Sequence, residues 1–373
     1  MKGKIGILTF HRALSYGALL QAYALQTKLF SLGIDNEIVD YSCDYMVKHY
    51  QRLFRPVKGN PLKGFALNLL TADGIRKERK TRDHFVQKHM KLSIPYDADS
   101  IAQSAQRYDV LITGSDQVWS PSCVGFDPVY FLNFAAPEQR YSYAASIAVK
   151  TLPEELKDAY RRRLKDFSAL SLREPSGAEL ICQMVGRDDV QVHIDPTMLL
   201  EKEQWDALAP QCLVDTPYIF LFTVKKPKAI IDQTLALSRK TGLPIIYLNK
   251  LHTRREKEIR YMDPVEADQF VSLVKHASYV CTNSFHGTAF SVIYHKQFML
   301  ESETASGRNI RSEEFLNRIG LSERIFSGDI FAIDVQSDWK AADACIGEER
   351  RRAEEYLLRI RQRLSMEGRH NGA

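Results

Sequence analysis

The sequence predicts an α/β protein built from two parallel-sheet units in series. Three observations carry this prediction. The first forty residues read as strand, loop, helix, strand. The same alternation returns between residues 109 and 194, and again between 218 and 300. Sequential strands joined by helices form parallel sheets through right-handed crossovers.

The first unit opens with an apolar strand at Lys4–Leu8 and a polar loop at His11–Tyr16. Over 17–32, Leu19, Leu20, Tyr23, Ala24 and Leu29 follow a helical period, and Gly33 is placed as a C-terminal glycine. A strand resumes at 37–41. Residues 46–91 interrupt the pattern. Strands then follow at 109–113, 142–148, 169–172 and 190–194, with a helix over 153–166. After Thr216-Pro217 come strands at 218–224, 243–248, 279–282 and 297–300, with helices at 229–241, 264–276 and 288–294. Asp263 before Pro264 is the expected N-cap of the second of these helices. Ile346, Ala353, Tyr356, Leu357, Ile360 and Leu364 share one face of a charged C-terminal helix. The expected division is 1–212 and 213–340 for two Rossmann-like domains facing each other across a cleft, with 341–373 as an amphipathic helix and tail. In open sheets of this kind ligands bind at the carboxyl ends of the strands.

A length of 373 residues suits two domains, and 45% hydrophobic with 26% charged residues is globular composition. Disordered, collagenous and coiled-coil classes are excluded. The net charge of +5 is too mild to announce a nucleic-acid partner. No run approaches the length of a membrane span, and the N-terminus lacks a secretory pattern. The six cysteines include no C-x-x-C pair, so a reduced, cytoplasmic protein without a zinc cluster is expected. P-loop, G-x-G-x-x-G, nucleophile-elbow and H-E-x-x-H motifs are absent.

The candidate chemistry lies just after strands. Ser284-Phe285-His286-Gly287 opens a helix, where backbone N–H groups favour an anion and a histidine can bind phosphate or move a proton. A structural turn in which the histidine caps the helix is the alternative. Ser115, Asp116 and Gln117 follow the strand ending at Thr113; an Asx turn with Trp119 in the core is the plain reading there. Arg173 ends a strand with a guanidinium suited to carboxylate or phosphate, or simply pairs with Glu174. Asp195-Pro196 reads as a helix start at a domain edge and not as a catalytic carboxylate. Arg308, Asn309 and Arg311 form a glycine-led basic loop able to clamp an anion or to sit in solvent. Ser15 and Tyr16 precede the first helix and can touch a ligand at its N-terminus.

In this order, Gly17-Ala18-Leu19-Leu20-Gln21-Ala22-Tyr23-Ala24-Leu25-Gln26, Gly114-Ser115-Asp116-Gln117-Val118-Trp119, Tyr143-Ala144-Ala145-Ser146, Ser171-Leu172-Arg173-Glu174, Asp195-Pro196-Thr197 with Leu199-Leu200, and Thr282-Asn283-Ser284-Phe285-His286-Gly287-Thr288 resemble the polysaccharide pyruvyl transferase family. The resemblance runs from about residue 4 to about residue 325. It implies a GT-B-like arrangement of the two domains. It also implies transfer of a pyruvyl group from phosphoenolpyruvate to sugar hydroxyls, usually as a ketal, with phosphoenolpyruvate as donor substrate and no cofactor. Asp116, Arg173 and His286 match the family's functional positions. Some members carry arginine where this chain has Ser284; Arg308 or Arg311 is the expected replacement for that charge. A sugar-nucleotide glycosyltransferase and a noncatalytic glycan-binding protein of the same fold are the competing readings.

The small net charge is a cancellation. Residues 46–91 hold twelve lysines and arginines against three acidic residues, an excess larger than that of the whole chain, so the remainder is net negative. Interleaved leucines and phenylalanines make this segment suited to peripheral contact with the inner membrane surface or to a lipid-linked oligosaccharide acceptor. Solvated amphipathic helices packed on the domain are the plainer reading.

Overall fold

The computed structural model describes residues 3–50, 61–224, 227, 229–248, 256–302 and 310–370, the side chains of 49–50, 61–71 and 364–370 excepted. The first half comprises β1 (Lys4–Leu8), α1 (Tyr16–Ser31), β2 (Asp35–Tyr41), α2 (Asp44–Tyr50), α3 (Pro61–His89), β3 (Leu92–Tyr96), β4 (Val110–Thr113), the single turn α4 (Pro121–Val124), β5 (Arg140–Ser142), α5 (Glu154–Leu164), β6 (Ser171–Leu172), α6 (Pro175–Val185), β7 (Gln191–Val192) and α7 (Lys202–Leu208). The second half comprises β8 (Ile219–Phe222), α8 (Ile230–Thr241), β9 (Ile245–Tyr247), β10 (Ile259–Tyr261), α9 (Ala267–His276), β11 (Tyr279–Thr282), α10 (Phe285–Ile293), β12 (Gln297–Leu300) and α11 (Ile310–Arg318), followed by α12 (Trp339–His370).

Both sheets are parallel and open. The first runs β3-β2-β1-β4-β5, and the second β10-β9-β8-β11-β12. The β6–β7 pair continues the first sheet outward, through bridges from Tyr141 to Ala169 and from Ala145 to Leu172. Ile5, Ile7, Leu111, Ile112, Ile219, Phe220, Val280 and Cys281 are fully buried, because helices cover both faces of each sheet. In each sheet the strand order reverses beside its central strand, at β1/β4 and at β8/β11. Ligands are received at such switch points, outside the strands' carboxyl ends. The residues after β4 and β11 are therefore the ones placed for chemistry.

Several local expectations need correction. The helix expected from Pro264 begins at Ala267, with Glu266 as N-cap and its N–H donating to Gln269 Oε1 at 2.9 Å. Asp263 instead pairs with Lys77 at 3.0 Å. The strand expected over 142–148 leaves the ladder after Ser142, because Ala144 takes a left-handed conformation with φ 44°. The three-residue strand β10 has no visible counterpart in the expected pattern; it is too short to show a period.

Two helices tie the halves together. α12 starts against the second half, where Trp339 stacks on His295 with ring centroids 4.8 Å apart. It then crosses to the first half, where the Tyr356 hydroxyl donates to Ser142 O at 2.7 Å and Arg361 donates to Leu32 O at 3.0 Å. α3, the basic insertion, buries Ala72, Ile75, Phe85 and Val86. It reaches the second half through Lys77–Asp263 and through His84–Glu266 at 2.9 Å. Arg52, Leu53, Phe54, Arg55 and Lys58 lie outside the described residues, as do the side chains of Leu62, Lys63, Phe65, Leu67, Leu69 and Leu70. Among the described residues no helix is long and apolar enough to cross a membrane.

His193 packs beside the rings of Tyr143 and Tyr356, 5.8 and 4.7 Å away, with Nδ1 2.7 Å from Ser171 Oγ. Burial, aided by the charges of Arg352, Arg359 and Arg318, pushes its pKa from 6.5 down to about 3. The unfolded chain accepts a proton that the folded chain refuses. The stability from this group is therefore full above the unfolded value and is lost as pH falls from there toward 3, with a slope of up to about 1.4 kcal/mol per pH unit. Chemical denaturation across this window should show a shallower decline for His193→Phe than for the wild type. Equal slopes would contradict the assignment.

Candidate active site

The site is built from strand ends of both halves. After β4, Gly114 has φ 113° and an added Cβ would stand 2.4 Å from Tyr143 O, so only glycine fits. Ser115 donates its hydroxyl to Ala144 O at 2.6 Å, and its carbonyl accepts from Thr9 Oγ1. The next residue, Asp116, takes φ 70°, a region that aspartate tolerates better than most residues. Its backbone carbonyl accepts from Val118 N and Ser146 N. The loop is thereby pinned with the Asp116 carboxylate turned to the cleft.

Arg173 follows β6, and its N–H donates to Ala145 O at 3.1 Å. Its guanidinium is 3% exposed and is ringed by carboxylates: Asp195 at 2.5 Å, Glu174 at 3.3 Å and Asp116 at 3.5 Å. The opposite wall is the Phe285 ring, 4.6 Å away. Burial opposes the charge on Arg173, but Asp195, Glu174 and Asp116 outweigh it and push its pKa above the usual arginine value. Asp195 lies after β7. Its Oδ1 accepts from Thr197 N at 3.0 Å and from Thr197 Oγ1 at 2.8 Å. Its Oδ2 accepts from Arg173 and lies 3.6 Å from His286 Nε2. Burial resists ionisation of Asp195, but His286 and then Arg173 hold its carboxyl well below the usual range.

The second half supplies the facing wall. Ser284 caps α10, its Oγ accepting from Gly287 N at 3.3 Å. The histidine is thus not the cap. A Cβ on Gly287 would meet Thr282 Oγ1 at 2.5 Å, so this turn also requires glycine. Phe285 and His286 project from the first turn of α10. Arg311, in the first turn of α11, brings Nη1 to 3.7 Å from Asp116 and lies 6.0 Å from the Phe285 ring. Burial and the nearby charge of Arg173 lower its pKa. A small cavity is lined by Arg173, Glu174, Asp195, Phe285, Arg311 and Glu314, among others. Three buried polar atoms here have no hydrogen-bond partner among the described residues: His286 Nε2, Arg173 Nη2 and Glu174 Oε2. Buried polar atoms normally find partners, so such a cluster marks where a ligand's groups would fit. Among the described residues no group of three His, Cys, Asp or Glu is placed to hold a metal ion.

The structure therefore brings together Asp116, Arg173, Phe285, His286 and Arg311. Ser115, Ser284 and Gly287 shape the two loops and are engaged internally. Gln117 is half-buried and accepts a long contact from Cys123. Ser15 is the exposed N-cap residue of α1. Tyr16 is not free for a ligand: its hydroxyl accepts from Val265 N at 3.1 Å, and its ring stacks on Phe270 at 5.0 Å, joining the two halves. Arg308 and Asn309 lie outside the described residues. Asp195 and Glu174 are in the site although neither was expected there. Asp195 does start a helical turn, as read, but its second oxygen meets Arg173 and His286. Their separation in the chain hides this, and the signals were its place after a strand and its Asp195-Pro196-Thr197 motif within the family resemblance.

Gly17 is a further unexpected member. A Cβ there would stand 1.9 Å from His286 Nδ1, so α1 of the first half presses on the imidazole of the second. Gly17→Ala should destabilise the protein by about 1–3 kcal/mol through overpacking. Gly74→Ala in α3, where nothing lies within 4 Å of the added Cβ, should stabilise it by about 0.5–1 kcal/mol. Denaturant titration of both variants checks this, and a neutral or stabilising Gly17→Ala would contradict the close approach.

The architecture is that of known GT-B-like proteins. A UDP-N-acetylglucosamine 2-epimerase from Rickettsia bellii aligns with a TM-score of 0.53 at 12% identity, over 96% of this chain and 96% of that chain. A Listeria monocytogenes protein assigned as a UDP-N-acetylglucosamine 2-epimerase aligns with a TM-score of 0.52 at 10% identity, over 93% and 91%. At such identities the likeness is one of fold. No curated protein matches the sequence. The family described as polysaccharide pyruvyl transferase matches residues 16–303, a span that runs from the start of α1 and contains Asp116, Arg173, Asp195 and His286. With most of its length inside that match, and Asp116, Arg173 and His286 with it, the chain belongs to the polysaccharide pyruvyl transferase family.

Proposed function

We propose that this protein transfers the pyruvyl group of phosphoenolpyruvate to hydroxyls of a saccharide acceptor, forming a ketal. The observation that carries this reading is the convergence of the buried Arg173, the half-buried Arg311, the His286 imidazole and the Asp116 carboxylate, from loops and helix starts that follow strands of both sheets. Phosphoenolpyruvate carries a phosphate and a carboxylate on one small enol, so its site needs cationic side chains with donors left to point at it. Arg173 Nη2 lacks a hydrogen-bond partner among the described residues, Arg311 stands nearby, and α10 adds its N-terminal N–H groups. Arg311 thus supplies the charge that Ser284 does not.

Proton and bond movements follow from this placement. His286 gives a proton to C3 of the enol, which makes C2 electrophilic. A sugar hydroxyl attacks C2 and yields its proton to Asp116. The C2–O bond to phosphate breaks, and phosphate leaves with both electrons. A second sugar hydroxyl then closes the ketal on C2 and gives its proton to the His286 imidazole, which restores the donor. The setting is cytoplasmic, at the inner face of the membrane. The exposed Arg76, Lys80 and Lys88 of α3 support contact there with an anionic lipid surface that carries the acceptor.

Incubation with phosphoenolpyruvate and a panel of mono- and oligosaccharides, free and lipid-linked in anionic vesicles, tests this. Inorganic phosphate should be released and the acceptor should gain the mass of a pyruvyl ketal. Release of nucleoside diphosphate from a sugar nucleotide instead would favour a glycosyltransferase. His286→Gln should lower kcat by about 10²–10⁴-fold, the usual worth of a general acid. Arg311→Ala should chiefly raise KM for phosphoenolpyruvate. Unchanged kinetics for His286→Gln would remove it from the mechanism. Charge reversal at Arg76, Lys80 and Lys88 should weaken vesicle binding; unaltered binding would end the membrane part of the reading.

A further inference from the structure

We propose that Asp195 is the positioning residue for His286, reaching its imidazole from the other half of the chain. This rests on the pyruvyl-transfer reading and adds a residue and a coupling to it.

The two groups come from opposite halves. Asp195 follows β7, and His286 sits on α10. The direction of the carboxylate is fixed by bonds within its own half: Thr197 holds Oδ1 through both its N–H and its hydroxyl, and Arg173 holds Oδ2. The imidazole is fixed less completely. Gly17 of the first half packs against its Nδ1 side, and the Phe285 ring lies edge-on at 5.1 Å. Its Nε2 is buried and has no hydrogen-bond partner among the described residues, yet lies 3.6 Å from Asp195 Oδ2. Both Gly17 and Asp195 belong to the first half, so what surrounds the ring is set by how the two halves meet.

Asp195 is suited to act as a fixed charge. Its ionised form is held by the neighbouring imidazole and by the Arg173 guanidinium, so it does not itself deliver a proton. Asp195 Oδ2 flanks the Nε2 edge of the ring and so sets the direction in which that edge faces. Asp195 also shares Arg173 with any bound anion. Removing its charge should therefore leave phosphoenolpyruvate binding intact or tighter while turnover fails. Loss of a merely structural residue would weaken both.

The test compares wild type, Asp195→Asn, His286→Gln and the double variant. Phosphoenolpyruvate binding is read by calorimetry, and turnover by phosphate release with the acceptor found in the panel. Asp195→Asn should bind phosphoenolpyruvate at least as tightly as the wild type and turn over about 10²-fold more slowly. In the His286→Gln background the same substitution should cost less than about threefold, because residues acting as a unit are not additive. If Asp195→Asn fails to fold, Thr197→Val loosens the same carboxylate and should show the same pattern at smaller amplitude. Turnover of a folded Asp195 or Thr197 variant near the wild-type rate, weakened phosphoenolpyruvate binding, or losses that multiply with His286→Gln would overturn the proposal. A wild type that releases no phosphate from phosphoenolpyruvate with any acceptor would instead overturn the pyruvyl-transfer reading beneath it.

Discussion

Arg173 is buried with its guanidinium ringed by carboxylates from three separate segments and faced by an aromatic ring from across the cleft. A charge taken out of water without partners costs several kcal/mol, so this arrangement is held from every side or not at all. Asp116 must adopt a left-handed backbone, Glu174 must precede α6, and Asp195 must turn back from β7 for the ring to close. Each of these segments follows a strand of the first half. The sheet register therefore sets the electrostatics of the site directly.

The same cluster explains why the halves must meet. Phe285, His286 and Arg311 come from the second half and have their charged or polar neighbours in the first. Three features outside the cluster hold the halves in this relation: Tyr16 against Phe270 and Val265, α3 against Asp263 and Glu266, and α12 running from Trp339 to the Ser142 carbonyl. None of the three touches the reactive groups. They set the separation at which Gly17 meets the imidazole and Asp195 comes within reach of it.

Much of this was legible in the amino-acid sequence, for a physical reason. Parallel strands buried on both faces leave apolar runs, and function collects at their carboxyl ends, so the loops that carry Asp116, Arg173 and His286 stood out by pattern, and the family resemblance singled out these residues within them. Trp119 in the core, with its ring N–H donating to Tyr130 O, was likewise legible from turn chemistry. Contacts between distant segments were not. Asp195 has the sequence of an ordinary capping aspartate and is one, but nothing local reveals that its other oxygen is shared by Arg173 and His286. Tyr16 had the place of a ligand contact, yet the packing of α1 on α9 engages its hydroxyl. Asp263 before a proline had the form of an N-cap, but Glu266 and Gln269 offered a capping pair one turn later.

The central claim is that the Arg173–Asp195–His286 cluster and Arg311 together form the seat of phosphoenolpyruvate. A crystal structure of the protein with phosphoenolpyruvate bound tests it most directly. The account predicts ligand oxygens within hydrogen-bond distance of Arg173 Nη2 and Arg311, with C3 of the enol directed at His286 Nε2. Phosphoenolpyruvate seated elsewhere, with this cluster unaltered and unoccupied at saturating ligand, would contradict it.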